Sequence, residues 1–359
     1  MSDCCSNCLI EMVVEYISRY SIALSSMPTP IEVERLSKRF KAVLVLVEDH
    51  ELMYDLDLWG KFGVECLHIP VEDFSAPLLL DLYRGIRWIH RNVCSGRRVL
   101  IHCFGGIGRS GTFASAYIVY AGGLTAKEAI RFVRRYVVDA VSTWEQEAIV
   151  EMFELLIKAL PEPRLAKVVD FGLKYNYGLG LGHASKVTQL ALGLWYELSS
   201  ELNLTIDTLT PLAIAGILHD IGKGIGDGSR HYEKSYRAVL ASRELKEVFS
   251  KETLELAALL SLYHNIEMGD PRENPRVPGE LVEILAKLTG ILRVADALDY
   301  SLNQVVSDIK VQITRDKMNL IIYVKDSYSI SRNIEKAGEK KLLLEDIIGK
   351  PIDFIIRYG

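Results

Sequence analysis

Two prolines one residue apart, Pro161 and Pro163, split this chain into stretches with different hydrophobic patterning. That split constrains the fold more than any other feature. Such a pair ends a helix, because neither residue has an N–H to donate and each clashes with the turn before it. Ahead of the prolines, short apolar runs alternate with helical patterns. Residues 42–47 (AVLVLV), 64–69 (VECLHI) and 99–102 (VLIH) read as strands. Their nearly unbroken apolar character suits strands covered on both faces of a mostly parallel sheet. Helical periodicity fills the intervals: 30–39 behind Thr29 as N-cap, 78–91, 126–136 behind Thr125, and 144–160. Beyond the prolines the pattern is helical at 182–200, 211–219 behind Thr210, 232–241, 252–264 and 279–302. Runs 308–314 and 319–325 then alternate around Arg315-Asp316-Lys317, as in a hairpin, and a helix at 341–348 and a strand at 352–356 follow. The expected architecture is an α/β domain over 1–160, whose central, mostly parallel sheet is flanked by helices. An all-α domain over 164–304 and a small α+β extension over 305–359 complete it.

With 359 residues, 49% hydrophobic and 25% charged, the chain can bury two cores, which excludes intrinsic disorder and coiled coil as the main architecture. Net charge is -5 and neither half has a basic excess, so nucleic acid is not an expected partner. No apolar run approaches the ~20 residues that span a bilayer. The N-terminus has no secretory leader pattern. The expectation is a cytoplasmic protein with no membrane association. Cys4, Cys5 and Cys8 crowd the N-terminus, where a soft-metal or redox site and an inert terminus are the alternatives and the inert one is the commoner, while Cys66, Cys94 and Cys103 are scattered. The set does not read as a disulfide framework.

One string concentrates chemistry. From Val99 to Gly111 the chain passes from a strand through Cys103-Phe104-Gly105-Gly106-Ile107-Gly108-Arg109-Ser110 into a helix. Successive backbone N–H groups in a Gly-rich turn at a helix N-terminus form an anion cradle, and the glycines let the backbone curl around a tetrahedral oxyanion. Cys103 stands at its floor, where donors and helix dipole favour negative charge on sulfur. Arg109 can return to the bound anion as a planar two-pronged donor. Nucleophile, clamp and phosphate site thus share one loop.

This string resembles the signature loop of the cysteine-dependent protein tyrosine and dual-specificity phosphatases, and its short form resembles the minimal atypical members. The likeness covers about residues 20–158, including Met27-Pro28-Thr29-Pro30, the segment 67–74 (LHIPVEDF) and Ser142-Thr143-Trp144-Glu145-Gln146. The resemblance implies Cys103 as nucleophile, Arg109 as phosphate clamp, Ser110 assisting the departing thiolate and His102 tuning it. It implies Asp73 as general acid, with Glu72 and Asp81 as competitors, and Gln146 as the residue that orients water. No cofactor is expected there. The loop interior has no Lys or Arg before Arg109, which favours a phosphomonoester on protein or a modestly charged small molecule over a polyphosphorylated one.

The helical half holds a second set: His183, His219-Asp220, His231, His264 and Asp296. Imidazoles and carboxylates in apolar helical stretches are costly unless paired or metal-bound. A His-Asp doublet with further His and Asp on other helices suits one or two divalent ions. His50, His68 and His90 lack such company and are left as structural or solvated.

The string Ile217-Leu218-His219-Asp220-Ile221-Gly222-Lys223 resembles the HD-domain metal-dependent phosphohydrolases, over about residues 164–302. The likeness implies that His183, His219, Asp220 and Asp296 hold a first metal, and that His231 and His264 hold a second, bridged by Asp220. Lys223 and Arg293 would face substrate phosphate. The expected cofactor is a pair of transition ions, Fe, Mn, Ni or Zn. Residues 292–299 (LRVADALD) and the segment after them are similar to the C-terminal half of the exopolyphosphatase and guanosine pentaphosphate phosphohydrolase family. That family's actin-like catalytic domain is absent, so polyphosphate hydrolysis is not carried over. The sequence therefore predicts a bifunctional phosphohydrolase. Its partners would be a phosphorylated protein or small phosphomonoester at one centre and a nucleotide or phosphorylated metabolite at the other. The alternative is a phosphatase whose HD half binds a nucleotide or partner without turnover.

Overall fold

A computed structural model describes residues 14–325 and 330–358. Cys4, Cys5 and Cys8 lie outside them. The described residues pack as two units. One holds the residues through Pro77 with Asp81–Glu154, and the other holds Leu78–Leu80 with the residues from Leu155 on.

The first unit is α/β. Its strands are β1 (Val14–Ile17), β2 (Ile22–Ser25), β3 (Ala42–Val45), β4 (Glu65–His68) and β5 (Val99–His102). They form one mixed sheet in the order β1-β2-β5-β3-β4. β1 pairs antiparallel with β2, and every other pairing is parallel. Each β3 residue is fully buried, and so are Val99, Leu100 and Ile101 of β5, which is why the central strands read as unbroken apolar runs. The sequence reading missed β1 and β2. Ser21, in the left-handed conformation between them, makes the tight turn that joins them.

The helices associated with this sheet are α1 (Pro30–Ser37), α2 (Asp57–Lys61), α3 (Leu79–Cys94), α4 (Gly108–Gly122), α5 (Ala126–Val133) and α6 (Trp144–Ala159). Thr29 and Thr125 both close capping boxes, with Glu32 and Glu128. Each box satisfies two orphan N–H groups at a helix start, worth about 1 kcal/mol. α4 packs on β2 and β5 and is buried from Arg109 through Val119, so its N-terminus is fixed directly beyond the end of β5.

The second unit is helical, with a small sheet at its end. Its helices are α7 (Arg164–Leu173), α8 (Leu181–Leu198), α9 (Leu209–Leu218), α10 (His231–Ala241), α11 (Arg243–Lys246), α12 (Lys251–Tyr263), α13 (Val282–Ala297), α14 (Ser331–Lys340) and α15 (Leu342–Ile348). α7 follows Pro163 immediately and was not foreseen, because a proline that ends one helix is well placed to start the next. Thr210 does not cap α9. The helix begins at Leu209, and the Thr210 hydroxyl donates to the Ala159 carbonyl at 2.7 Å. The region expected as one helix from 279 starts with a 3₁₀ turn, Gly279–Leu281, and its α-helical part ends at Ala297. β6 (Val306–Ile313) and β7 (Met318–Val324) form the expected hairpin. β8 (Ile352–Tyr358) returns parallel to β7 after α14 and α15. Among the described residues no helix is long and apolar enough to cross a membrane.

Candidate functional site

The strand-to-helix loop between β5 and α4 builds the first centre. Gly106 has φ +76, and a Cβ there would lie 2.5 Å from the Ser25 carbonyl carbon. Only glycine permits that turn and that approach. The turn aims the Gly106 N–H at Cys103 Sγ, 3.2 Å away. Cys103 is nearly buried at the base of a cavity of about 210 Å³ whose walls include Asp73, Phe74, Phe104 and Gln146. Gly105, Ile107, Gly108 and Arg109 border it as well. The expected loop residues therefore surround the sulfur.

Arg109 is buried, and its guanidinium is held on three sides. Nη1 donates to Glu51 Oε2 at 2.6 Å and to the Val71 carbonyl at 2.8 Å, while Nη2 donates to Glu51 Oε1 at 2.9 Å. The guanidinium in turn holds the Glu51 carboxyl below its usual range. Asp73 Oδ1 stands 2.9 Å from Arg109 Nη2, on a side chain 54% exposed at the cavity mouth. Its competitors are placed differently. Glu72 accepts from Ser75 Oγ at 3.0 Å, and Asp81 sits on α3 beside Arg84, where burial raises its pKa. Neither borders the cavity. Gln146 is buried, donating to the Ser75 carbonyl at 3.1 Å and accepting from the Ser142 N–H at 2.8 Å. Two buried polar atoms, Arg109 Nε and Ser110 Oγ, have no hydrogen-bond partner.

His102 is fully buried, which pushes its pKa down to about 4 and keeps the ring neutral. A neutral ring that meets the Cys103 carbonyl at 3.2 Å through Nδ1 must donate from that nitrogen. Nε2 is then the acceptor for the Tyr54 hydroxyl at 2.6 Å, and Tyr54 accepts from Trp59 Nε1 at 3.0 Å. The relay Trp59–Tyr54–His102 thus fixes one tautomer against the backbone of the nucleophile position. Sequence reasoning missed Glu51, Tyr54 and Trp59. They lie some 50 residues upstream, and no spacing relation marks them.

The second centre lies wholly in the second unit. α8 brings His183, the end of α9 brings His219 and Asp220, α10 opens with His231, His264 closes α12, and α13 carries Asp296. Asp220 lies at the middle. Its Oδ2 is 3.6 Å from His183 Nε2 and 3.7 Å from His219 Nε2, and its Oδ1 is 3.3 Å from His231 Nε2 and 3.4 Å from His264 Nε2. Asp296 Oδ1 is 3.3 Å from His183 Nε2 and 3.7 Å from His219 Nε2. All six expected residues converge.

The outward nitrogens are fixed. His183 Nδ1 meets Asp299 Oδ2 at 2.9 Å, His219 Nδ1 meets the Gly216 carbonyl at 3.0 Å, and His264 Nδ1 meets the Ser261 carbonyl at 2.8 Å. Each acceptor holds the proton on Nδ1 and aims Nε2 inward, as metal-binding histidines require. His183 Nε2, His219 Nε2 and Asp220 Oδ1 are buried without hydrogen-bond partners. Orphaned inward-facing atoms in a mixed imidazole and carboxylate set fit transition-metal ligation. Burial opposes charge on His183, but Asp296, Asp299 and Asp220 more than offset it and lift its pKa to about 9. Burial pushes His231 down to about 4.

Lys223 Nζ donates to Asp220 Oδ2 at 2.6 Å and borders the cavity over this cluster. Arg293 does not face that cavity. It is buried and donates to the carbonyls of Tyr263, Asn265 and Gly269 at 2.8, 3.2 and 2.7 Å, so its charge holds backbone in place. Asp299, which fixes His183, was not singled out from the sequence, although its spacing of three from Asp296 along a helical stretch was a usable signal.

The cysteine at a glycine cradle lies in one unit and the His/Asp cluster in the other. Residues 31–148 match the family model for the dual specificity phosphatase catalytic domain, and residues 181–301 match that for the HD domain. The chain thus carries a dual-specificity phosphatase domain followed by an HD domain. Its first part is similar to the phosphatidylglycerophosphate phosphatase PTPMT2 of Arabidopsis thaliana, 29% identical over 39% of this chain and 63% of that protein. It is also similar to PTPMT1 of the same plant, 28% identical over 38% of this chain and 41% of that protein. The chain therefore spans less than two thirds of either relative. The solved structure of Tk-PTP in its active form is 47% identical over 37% of this chain and 90% of that one, with a TM-score of 0.37.

Proposed function

We propose that this chain is a phosphohydrolase with two chemically independent centres, one in a phosphatase domain over 1–160 and one in an HD domain over 164–304 completed by the extension 305–359. In the first, Cys103 attacks phosphorus and forms a phosphocysteine. Arg109 and the loop N–H groups of residues 104–108 hold the equatorial oxygens, and Asp73 gives a proton to the leaving oxygen. Ser110 stabilises the sulfur as it departs, His102 orients the cysteine backbone, and Gln146 directs the hydrolytic water. The observation that carries this reading is the Gly106 N–H aimed at Cys103 Sγ beside the buried Arg109 guanidinium.

The substrate is a phosphomonoester on a protein or lipid. The cradle interior carries no cation before Arg109, and exposed apolar side chains, Phe74, Phe104 and Ile107, border the opening. Phosphatidylglycerophosphate and tyrosine-phosphate activities stand in the names of relatives and supply the first compounds to assay.

At the second centre His183, His219, Asp220 and Asp296 would hold one ion, and His231 and His264 with the other Asp220 oxygen a second. Bound metal would supply Lewis acidity and an ionised water. Asp220, with one oxygen toward each histidine pair, would serve both ions, and Lys223 would receive substrate phosphate. The family match in this half of the chain is to the HD domain, residues 181–301, and the exopolyphosphatase resemblance expected from residues 292–299 is not shown by it.

Assays of Cys103→Ser and Asp220→Ala test the proposal together. The first variant should lose chelator-insensitive hydrolysis of p-nitrophenyl phosphate and keep metal-dependent hydrolysis, and the second should do the reverse. If both activities fall together in either variant, the two-centre reading fails. Metal binding without any metal-dependent hydrolysis would make the HD half a binding module.

A further inference from the structure

The cavity over the His/Asp cluster is large, about 570 Å³, within the range of small-molecule sites. The cluster accounts for only one part of its wall. Another part is α14, a helix of the C-terminal extension that the sequence reading missed. Arg332, Lys336 and Lys340 all border the cavity and recur every fourth residue, so they form one row along the helix. The neighbouring row anchors α14. Asn333 and Ala337 are fully buried, and Asn333 accepts from the Ser301 N–H at 2.9 Å and donates to Asn303 Oδ1 at 3.3 Å. The basic row is thereby held at the cavity wall.

The cations of this wall are not equally engaged. Lys223 is joined to Asp220 and Lys340 to Asp296, so both are tied to the cluster. Lys336 is paired with Glu339 at 2.8 Å. Arg332 has its guanidinium 5.2 Å from the centre of the Tyr300 ring and makes no ion pair or hydrogen bond among the described residues. The aromatic face steadies a guanidinium without occupying its donors. From Lys340 to Arg332 is eight residues, or about 12 Å of helix at 1.5 Å per residue. A single phosphate bound at the cluster would meet Lys223 and leave the far end of this row without a partner.

We propose that α14 extends the HD site to receive a second anionic group, so that its substrates are bisphosphorylated small molecules: one phosphate at the His/Asp cluster, the other on Arg332 and Lys336. This rests on the reading of the cavity as a phosphohydrolase site. A planar guanidinium matches a phosphate with two parallel hydrogen bonds, and Lys336 adds a second charge beside it.

The test measures binding by the full-length Cys103→Ser protein, whose first centre cannot turn ligand over and still holds phosphate alike in every α14 variant compared. Ligand-induced rises in Tm give Kd for fructose 6-phosphate, fructose 1,6-bisphosphate, AMP, adenosine 3′,5′-bisphosphate and inorganic phosphate. The bisphosphates should bind about tenfold or more tightly than their monophosphate partners, the gain expected of one charge-assisted phosphate contact. Agreement between the sugar and nucleotide pairs would assign the gain to the phosphate rather than to the base. Arg332→Gln with Lys336→Gln should reduce the ratio to about two or less. Arg332→Gln alone, at an exposed position, should lower the ratio part-way without a change in Tm and serves if the double variant does not fold. Equal affinities in each pair, or a ratio unchanged by these variants, would overturn the proposal. If monophosphates are hydrolysed with metal but no bisphosphate preference exists, this inference falls and the HD reading stands. If the preference persists in a protein that never shows metal-dependent hydrolysis, the anion site stands and the hydrolase reading falls.

Discussion

Glu51 and Arg109 are joined side by side, Nη1 to Oε2 at 2.6 Å and Nη2 to Oε1 at 2.9 Å, beneath the loop that carries Cys103. The pair settles the direction of the Arg109 fork. Its two terminal nitrogens are fixed by a carboxylate nearly as buried as the guanidinium itself, at 11% side-chain exposure. An arginine so held does not need to be ordered when an oxyanion arrives.

Glu51→Gln should therefore lower kcat on p-nitrophenyl phosphate by about tenfold or more, with a smaller effect on KM, because the clamp loses its orientation. Glu51→Ala should also lower unfolding free energy by about 1.5–3 kcal/mol, the worth of hydrogen bonds to a charged group, since Arg109 keeps the Val71 carbonyl and Asp73 as partners. Urea unfolding and steady-state kinetics check the two. Unchanged kinetics in both variants would show that Arg109 needs no partner.

Asp73 stands 2.9 Å from the same guanidinium and borders the cavity that Glu72 and Asp81 do not reach. Asp73→Ala should cost about 10²-fold or more in kcat on an alkyl or aryl phosphate with a poor leaving group, and much less on p-nitrophenyl phosphate, whose leaving group needs little protonation. Equal losses on both substrates would leave Asp73 with a structural role.

Burial holds His102 near pKa 4 against 6.5 for a free ring. The folded protein thus resists a proton that the unfolded chain accepts. The stabilising contribution is complete above pH 6.5 and is lost as pH falls through about 4. Over that interval wild type should lose roughly 3 kcal/mol more stability than His102→Asn. Chemical denaturation in chelator at pH 7 and pH 4.5 reads the difference. Parallel pH dependences would mean that His102 is not held neutral.

Metal content offers a separate test. The purified protein should carry more than one equivalent of transition metal by elemental analysis, and Asp220→Ala should hold less than one. Asp299→Asn leaves every ligand in place but alters the acceptor that orients His183 at 2.9 Å. It should weaken metal affinity by about 10- to 100-fold, as loss of such an outer contact does. Wild-type affinity in Asp299→Asn would mean that packing alone orients His183.

The α/β pattern, the helical second half, the cradle string and the six His and Asp positions were all legible in the chain, because each is a local signal. Strand β5, the turn and the start of α4 are consecutive in sequence, so Cys103, Gly106 and Arg109 could be read as one unit. His219 and Asp220 announced themselves as a polar doublet at the end of the apolar α9. The misses share a different cause. Ser18, Arg19 and Ser21 interrupt the apolar residues of β1 and β2, and α14 buries little more than Asn333 and Ala337 on its docked side, so hydrophobic periodicity carried little of their signal. What only tertiary structure decided is which distant side chains meet. Glu51 reaches Arg109 across 58 residues, Asp299 reaches His183 across 116, and the basic row of α14 reaches the cavity from the far end of the chain. Local sequence records backbone preference and burial. It does not record the packing of β5 against β2 and β3, or of α13 against α8 and α14, and that packing alone determines which charge faces which.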